Sequence, residues 1–441
     1  MIRLKIATIL PKAYLFGLLL SALFTLGSIA NAKEIVINQP GRQSIPLAQV
    51  RVLPTAASDK HLADTIYNVL HSDLDLTGLF DFVSEQAFLD DATRITPNSV
   101  DVNFPQWRML GAQLLLKGSY TLNGTQLELQ LRLFDVVARR LLVGHNYRGQ
   151  SYEVRRMVHS FADQILEVLT GTKGCFNTRI AFISDRSGNK ELYLAESDGY
   201  DSKRITNHGD LVLNPDFSPL GRELIFTSYR QGNPDLYRKE IYTGREALIS
   251  HYKGLNIAGR YRRDGKELAL TLSRDGNAEI YFIGLNGNIH KRLTNSWGID
   301  VDPSWNPVGD QVAFVSDRQG NPNIFIADTL SNQVRRLTYA GRYNATPAWS
   351  PDGQRIIFSR LEDGVFNLFS IRPDGSDERQ LTYGAGNKEH PRWSPDGRFV
   401  VYSNSILGKK ALYIMRADGS GQRRITDGSA NCTHPAWSKT W

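Results

Sequence analysis

The chain has 441 residues, 41% of them hydrophobic, and 52 Lys and Arg against 45 Asp and Glu give it a formal charge of +7. That length exceeds one ordinary hydrophobic core and calls for a large domain plus a smaller one. Basic residues alternate with acidic ones along the chain, which describes a solvated surface and argues against a nucleic-acid interface.

The N-terminus carries a targeting signal. Arg3, Lys5 and Lys12 precede an apolar stretch from Ala13 to Ile29, and Ala30-Asn31-Ala32 has the small-x-small pattern that signal peptidase reads. The pattern predicts a signal peptide over residues 1–32, cleavage marked by Ala30 and Ala32, and a mature chain starting at Lys33. An uncleaved anchor is disfavoured, because the apolar core is short and a cleavage site follows it directly. Processing removes three basic and no acidic residues, so the charge falls from +7 to +4.

Residues 33–172 read as a small α/β domain. Strands are expected at Glu34 to Asn38, Ala48 to Pro54, Leu114 to Tyr120, Leu127 to Phe134 and Leu141 to Tyr147, with a helix over Leu62 to Leu74. A second helix, Tyr152 to Leu169, places Val154, Met157, Val158, Phe161, Ile165, Val168 and Leu169 on one stripe and stops at Gly171.

From residue 173 to 441 the sequence repeats every 44 residues, six times, without insertion or deletion. One slot holds Phe217, Tyr261, Trp305, Trp349, Trp393 and Trp437; another holds Gly188, Gly232, Gly276, Gly320, Gly364 and Gly408; a third holds Thr206, Ser250, Thr294, Thr338, Thr382 and Thr426. This period, filled with short alternating strands, predicts a six-bladed β-propeller. In Trp349-Ser350-Pro351-Asp352-Gly353 and its equivalents, Pro presets φ and Asp-Gly tolerates the reversal, so an innermost strand turns into a second one. The first repeat lacks its innermost strand and the chain ends with an orphan Pro435-Ala436-Trp437-Ser438. The C-terminal strand is therefore expected to close the ring, leaving no open edge.

Two cysteines in an exported chain invite a disulfide, but the register opposes it. Cys432 falls opposite about residue 183, roughly eight residues from Cys175, on the order of 25 Å at about 3.3 Å per residue.

No catalytic constellation is legible. The chain has no Gly-x-Ser-x-Gly elbow, no HExxH and no complete calcium loop, and Gly384-Ala385-Gly386 lacks the strand and helix of a phosphate cradle. Neither a cofactor nor a metal is expected. An exported propeller hydrolase or glycan-processing enzyme remains the alternative, and it requires a carboxylate pair or nucleophile converging in the channel. Asp302 and Glu389 reach the mouth, but two blades apart.

Residues common to every blade need only a structural explanation, so function is sought in what differs. The pairs Leu213-Asn214, Ile257-Ala258, Val301-Asp302, Ala345-Thr346, Glu389-His390 and Thr433-His434 are expected to precede the innermost strands and ring one mouth of the channel. Arg186, Arg230, Arg274 and Arg318 stand around them, either as a partly basic rim or as braces between loops. A varied ring around a concave opening reads as a protein-docking surface.

Signal peptide, small α/β domain and six WSPDG-type blades ending in Pro435-Ala436-Trp437-Ser438 together resemble the TolB family of the Gram-negative Tol-Pal envelope system, over essentially the whole mature chain. The resemblance implies a non-catalytic periplasmic adaptor that supports outer-membrane integrity and constriction at division. It implies binding of the lipoprotein Pal at the propeller mouth, through Leu255, Ala258, Val301, Asp302, Thr346, His390 and His434. It further implies contact with the inner-membrane protein TolA through the mature N-terminal segment, about Lys33 to Ile45, including Lys33, Glu34, Ile35, Val36, Ile37 and Asn38, with other envelope proteins as further partners, no nucleic acid, and no membrane span after processing. One blade departs from the pattern: Gly259-Arg260-Tyr261-Arg262-Arg263-Asp264-Gly265 replaces the prolines, which makes the transfer at Leu255 and Ala258 the least secure.

Overall fold

Six four-stranded antiparallel sheets surround a channel, and a mixed sheet with three helices packs beside them in a computed structural model that describes residues 44–55, 60–88 and 102–439. The expected signal peptide with Ala30 and Ala32, the strand expected at Glu34 to Asn38, and the segment Lys33 to Asn38 lie outside the described residues.

The α/β domain is a sheet in the order Phe80–Phe82, Ile45–Gln49, Leu114–Asn123, Gln126–Asp135 and Arg140–Gln150, with Leu53–Pro54 also pairing Leu114–Asn123. The first three strands run parallel and the last three form an antiparallel meander. Helices α1 (Lys60–Thr77) and α3 (Val154–Thr170) bury Ile66, Leu70, Val158, Phe161 and Ile165 against one face. Val168 departs from the expected stripe and is exposed. Gly171 ends α3 in the left-handed conformation, as its lack of a Cβ allows. The short helix α2 (Phe104–Met109), not legible from periodicity, is capped by Asn103 and buries Phe104 and Trp107 on the other face with Phe134.

Blades two to six begin at Val212, Asn256, Asp300, Tyr343 and Asn387. Blade one is completed by the last strand, Cys432–Trp437, in the order Cys432–Trp437, Arg179–Ser184, Glu191–Glu196 and Lys203–Arg204. Cys432 is the first residue of that strand and pairs with Ser184, one residue from the expected position 183. Both cysteines are free and buried.

The apolar cores lie between neighbouring blades. Phe226 and Tyr237 of blade two pack with Ile183 and Leu194 of blade one, and Phe314 and Phe325 of blade four pack with Ile280 and Phe282 of blade three. The repeated residues account for themselves. Thr294 Oγ1 accepts the Ile280 N–H at 2.9 Å and donates to Glu279; Thr206, Thr338 and Thr382 likewise accept the N–H groups of Leu192, Ile324 and Leu368 and donate to Glu191, Asn323 and Asn367. The indoles of Trp305 and Trp393 donate to the carbonyls of Arg260 and Ala348 in the preceding blade's innermost strand.

The described residues belong to one compact unit, and its two domains share a core. Phe176, Phe399 and Trp437 join α1 and α3 in a single apolar cluster. Polar contacts finish the junction: Arg416 and Arg423 donate to the carbonyls of Leu76 and Ser72, Arg398 contacts Thr170 and Thr172, and Arg155 contacts Glu196 and Asp198. At its centre the buried His159 Nδ1 meets Asp73 at 2.6 Å. Burial opposes charge on this ring, yet Asp73, Glu196 and Asp198 outweigh it and hold the imidazole protonated up to about 10.

Candidate docking face at the channel mouth

Strand geometry sorts the connections onto two faces. Loops from a fourth strand to the next blade, and turns between second and third strands, share the mouth face; the other turns share the opposite face. Asp198, Arg398 and Arg416, which hold the α/β domain, all lie in or beside turns of the opposite face. The described residues of the domain therefore cover that face near blades one and six and leave the mouth uncovered.

The expected ring residues do not precede the innermost strands. They lie within them, at a β-bulge repeated in every blade: Leu213 pairs with Thr227 and Asp216 with Ile225, so two residues face one. Asn214, Ala258, Asp302, Thr346, His390 and His434 take φ values of 52°, 56°, 53°, 51°, 55° and 47°. None is glycine. A β-branched threonine or an alanine in this conformation costs on the order of 1–3 kcal/mol, and the closed ring holds it in place. The altered third blade keeps the bulge. Gly259 fits where an added Cβ would come within 2.9 Å of Leu236, and the turn still closes from Gly265 N–H to the Arg262 carbonyl.

Among these side chains, Ala258 is fully buried and offers a partner nothing. Leu255 precedes its strand, its N–H bound to Ser273 Oγ at 2.8 Å, and Val301 packs against the core between blades four and five. Thr346 bonds Ser359 at 3.0 Å. His390 and His434, from adjacent blades, lie in contact with ring centroids 3.9 Å apart and planes tilted by 35°. Burial, with Arg392 and Arg260 nearby, pushes His390 down to about 3 and His434 well below its ordinary value, so both rings are neutral at physiological pH. Burial raises the Asp302 carboxyl, while Arg260 and Arg392 draw it back.

The rim arginines act chiefly as braces, not as a basic rim. Arg186 binds Asp427 of the preceding loop, Arg230 binds Glu246 and Arg318 binds Asp300 at 2.5 Å, while Arg274 lies beside Asp275 and over Tyr252.

Two groups of residues escaped the sequence reading. The first is an arc of large apolar side chains in the mouth-face loops of blades three to six: Trp297 is 77% exposed, Tyr339 75%, Tyr383 68% and Leu407 99%. Their loops vary between blades, which was the available signal. The second is Arg260 and Arg392, which occupy one slot two residues after the bulge, where other blades carry Asp216, Ser304, Ala348 and Ala436.

Among the described residues, one cluster has the makings of a metal centre, His159 with Glu196 and Asp198. Arg155 already neutralises both carboxylates and His159 is held protonated by Asp73, so the donors are occupied by the domain junction. No helix of the described residues is long and apolar enough to cross a membrane.

Comparison with known proteins agrees with this architecture. Residues 33–142 match the family model described as the TolB amino-terminal domain, and residues 166–441 match the TolB beta propeller domain. A Tol-Pal system protein TolB of Syntrophotalea carbinolica is 55% identical over 211 residues, 48% of this chain and 49% of its own. That of Geobacter sulfurreducens is 45% identical over 168 residues, 38% of each chain. The chain thus spans about half the length, or less, of the curated relatives it matches. The crystal structure of TolB from Acinetobacter baumannii covers 90% of this chain and 97% of its own, with a TM-score of 0.78 and 27% identity. With both domain models matched in order and the fold shared, the chain belongs to the TolB family.

Proposed function

We propose that the protein is a non-catalytic periplasmic adaptor of the Tol-Pal system that docks the lipoprotein Pal on its mouth face and reaches TolA through the segment from Lys33, supporting outer-membrane integrity and division. The observation that carries this reading is a mouth face that the described residues of the α/β domain leave uncovered. A rigid ring of bulges frames it, and Trp297, Tyr339, Tyr383 and Leu407 stand exposed around it. Large aromatics have few rotatable bonds, lose little side-chain entropy on binding and make effective anchors for a folded partner. The first six residues of the mature chain, Lys33 to Asn38, lie apart from this face in sequence, which suits simultaneous contact with a second protein. Titration of the mature protein with the soluble domain of Pal tests the reading. A saturable one-to-one complex is expected, unaffected by deletion of residues 33–43, a deletion that removes TolA binding. Failure of Pal to bind at micromolar concentrations would refute it.

A further inference from the structure

The opposite end of the channel holds a cavity of about 350 Å³, walled by the aromatic slot and by Asp216, Arg260, Arg263, Arg392 and Lys439. Such a volume lies at the small end of ligand sites. Its charge is unbalanced. Four cations line it against the single carboxylate of Asp216, and Asp216 already accepts the Tyr261 N–H at 2.9 Å, stitching two blades. Asp302 lies within electrostatic reach of Arg260 and Arg392 but belongs to the bulge ring toward the other mouth. Arg260 is 9% exposed and donates to the carbonyls of Gly259 and Asn214 through one nitrogen. Arg392 donates to the Pro391 carbonyl, and its buried Nε has no hydrogen-bond partner. Burial, and Arg260 nearby, hold the Arg392 guanidinium well down, to about 9, with Asp216 and Asp302 drawing it only partly back.

The repeat itself does not call for an arginine in this slot. Blades four, five and one place Ser304, Ala348 and Ala436 in the slot that Arg260 and Arg392 occupy, and their strands pair in the same way. A buried donor without a partner costs about 1–3 kcal/mol, more when charged, unless a ligand satisfies it. Guanidinium groups present forked donors that match planar or tetrahedral oxyanions.

We propose that this end of the channel is a binding site for a compact oxyanion, a carboxylate or phosphate group, held between Arg260 and Arg392 and drawn in by Arg263 and Lys439. The site is distinct from the docking mouth and lies on the face that carries the α/β domain.

The test uses the full mature protein, with its melting temperature and indole fluorescence followed against inorganic phosphate or malonate, and sodium chloride at matched ionic strength as control. Saturable stabilisation by at least one of the two probes, absent with chloride, is expected, and the arm that binds more tightly identifies the chemistry. Arg392→Met should abolish saturation. Should that variant not fold, the double variant Arg263→Gln with Lys439→Gln, both at exposed positions, should weaken binding at least tenfold. No saturable response to either anion, or an unchanged response in the rim variant, overturns the proposal.

Discussion

The two ends of the channel are made by the same six strands, yet they carry opposite kinds of information. At the mouth the backbone repeats in every blade, with a left-handed residue each time, while the side chains on it vary from Asn214 to His434. At the far end the aromatic slot repeats, and variation falls at the position that gives Asp216, Arg260 and Arg392 and at the turn slot where Arg263 and Lys439 replace the prolines of the other blades. One end carries an arc of exposed Trp297, Tyr339, Tyr383 and Leu407; the other is cationic and lies on the face that packs against the α/β domain. A repeat solves the folding problem once, and the residues it releases are free to differ between the two surfaces.

Removing residues 433–441 breaks both ends at once, because it deletes His434 from the mouth and Trp437 from the aromatic slot and leaves blade one with an open edge. Losing the Trp side chain alone costs about 3–5 kcal/mol, and the exposed strand adds to it, against a total of roughly 5–15 kcal/mol for a domain. Thermal unfolding should lose its cooperativity or give way to aggregation.

A smaller effect is expected at the covered face. His159→Ala leaves Asp73 buried without its partner and should cost about 3–5 kcal/mol, with Pal binding retained because the junction lies away from the mouth. The folded pKa of His159, about 10, exceeds the ordinary 6.5, so its ion pair contributes in full below pH 6.5 and is lost as pH rises through 10. Urea midpoints measured between pH 6 and 10.5 should fall for the wild type and stay nearly flat for the variant, apart from background titration common to both. At the rim of the mouth, Arg186→Ala removes a half-exposed pair with Asp427 and should shift stability by only about 0.5 kcal/mol.

Much of this architecture was legible because periodicity reports packing. The fixed spacing of Trp305, Trp349 and Trp393 revealed blades, and the orphan Pro435-Ala436-Trp437 revealed ring closure. What escaped depends on relations that spacing does not encode. The helix Phe104–Met109 is too short for an apolar stripe, and depends on its Asn103 cap and the pocket around Trp107. The ring residues were expected in loops because a bulge inside a strand resembles a loop in sequence, and the burial of Ala258 follows from the neighbouring blade. The pairing of His159 with Asp73 spans 86 residues and has no local signature.

The central claim is that partner binding resides at the mouth. Calorimetry with purified Pal should compare Asp302→Arg, combined with His390→Ala and His434→Ala, against Asp374→Lys combined with Asp418→Lys in turns of the opposite face. The mouth variant should lose roughly 2 kcal/mol or more of binding free energy with its melting transition intact, and the opposite-face variant should bind like wild type. Binding abolished by the opposite-face changes and untouched by those at the mouth would contradict the account.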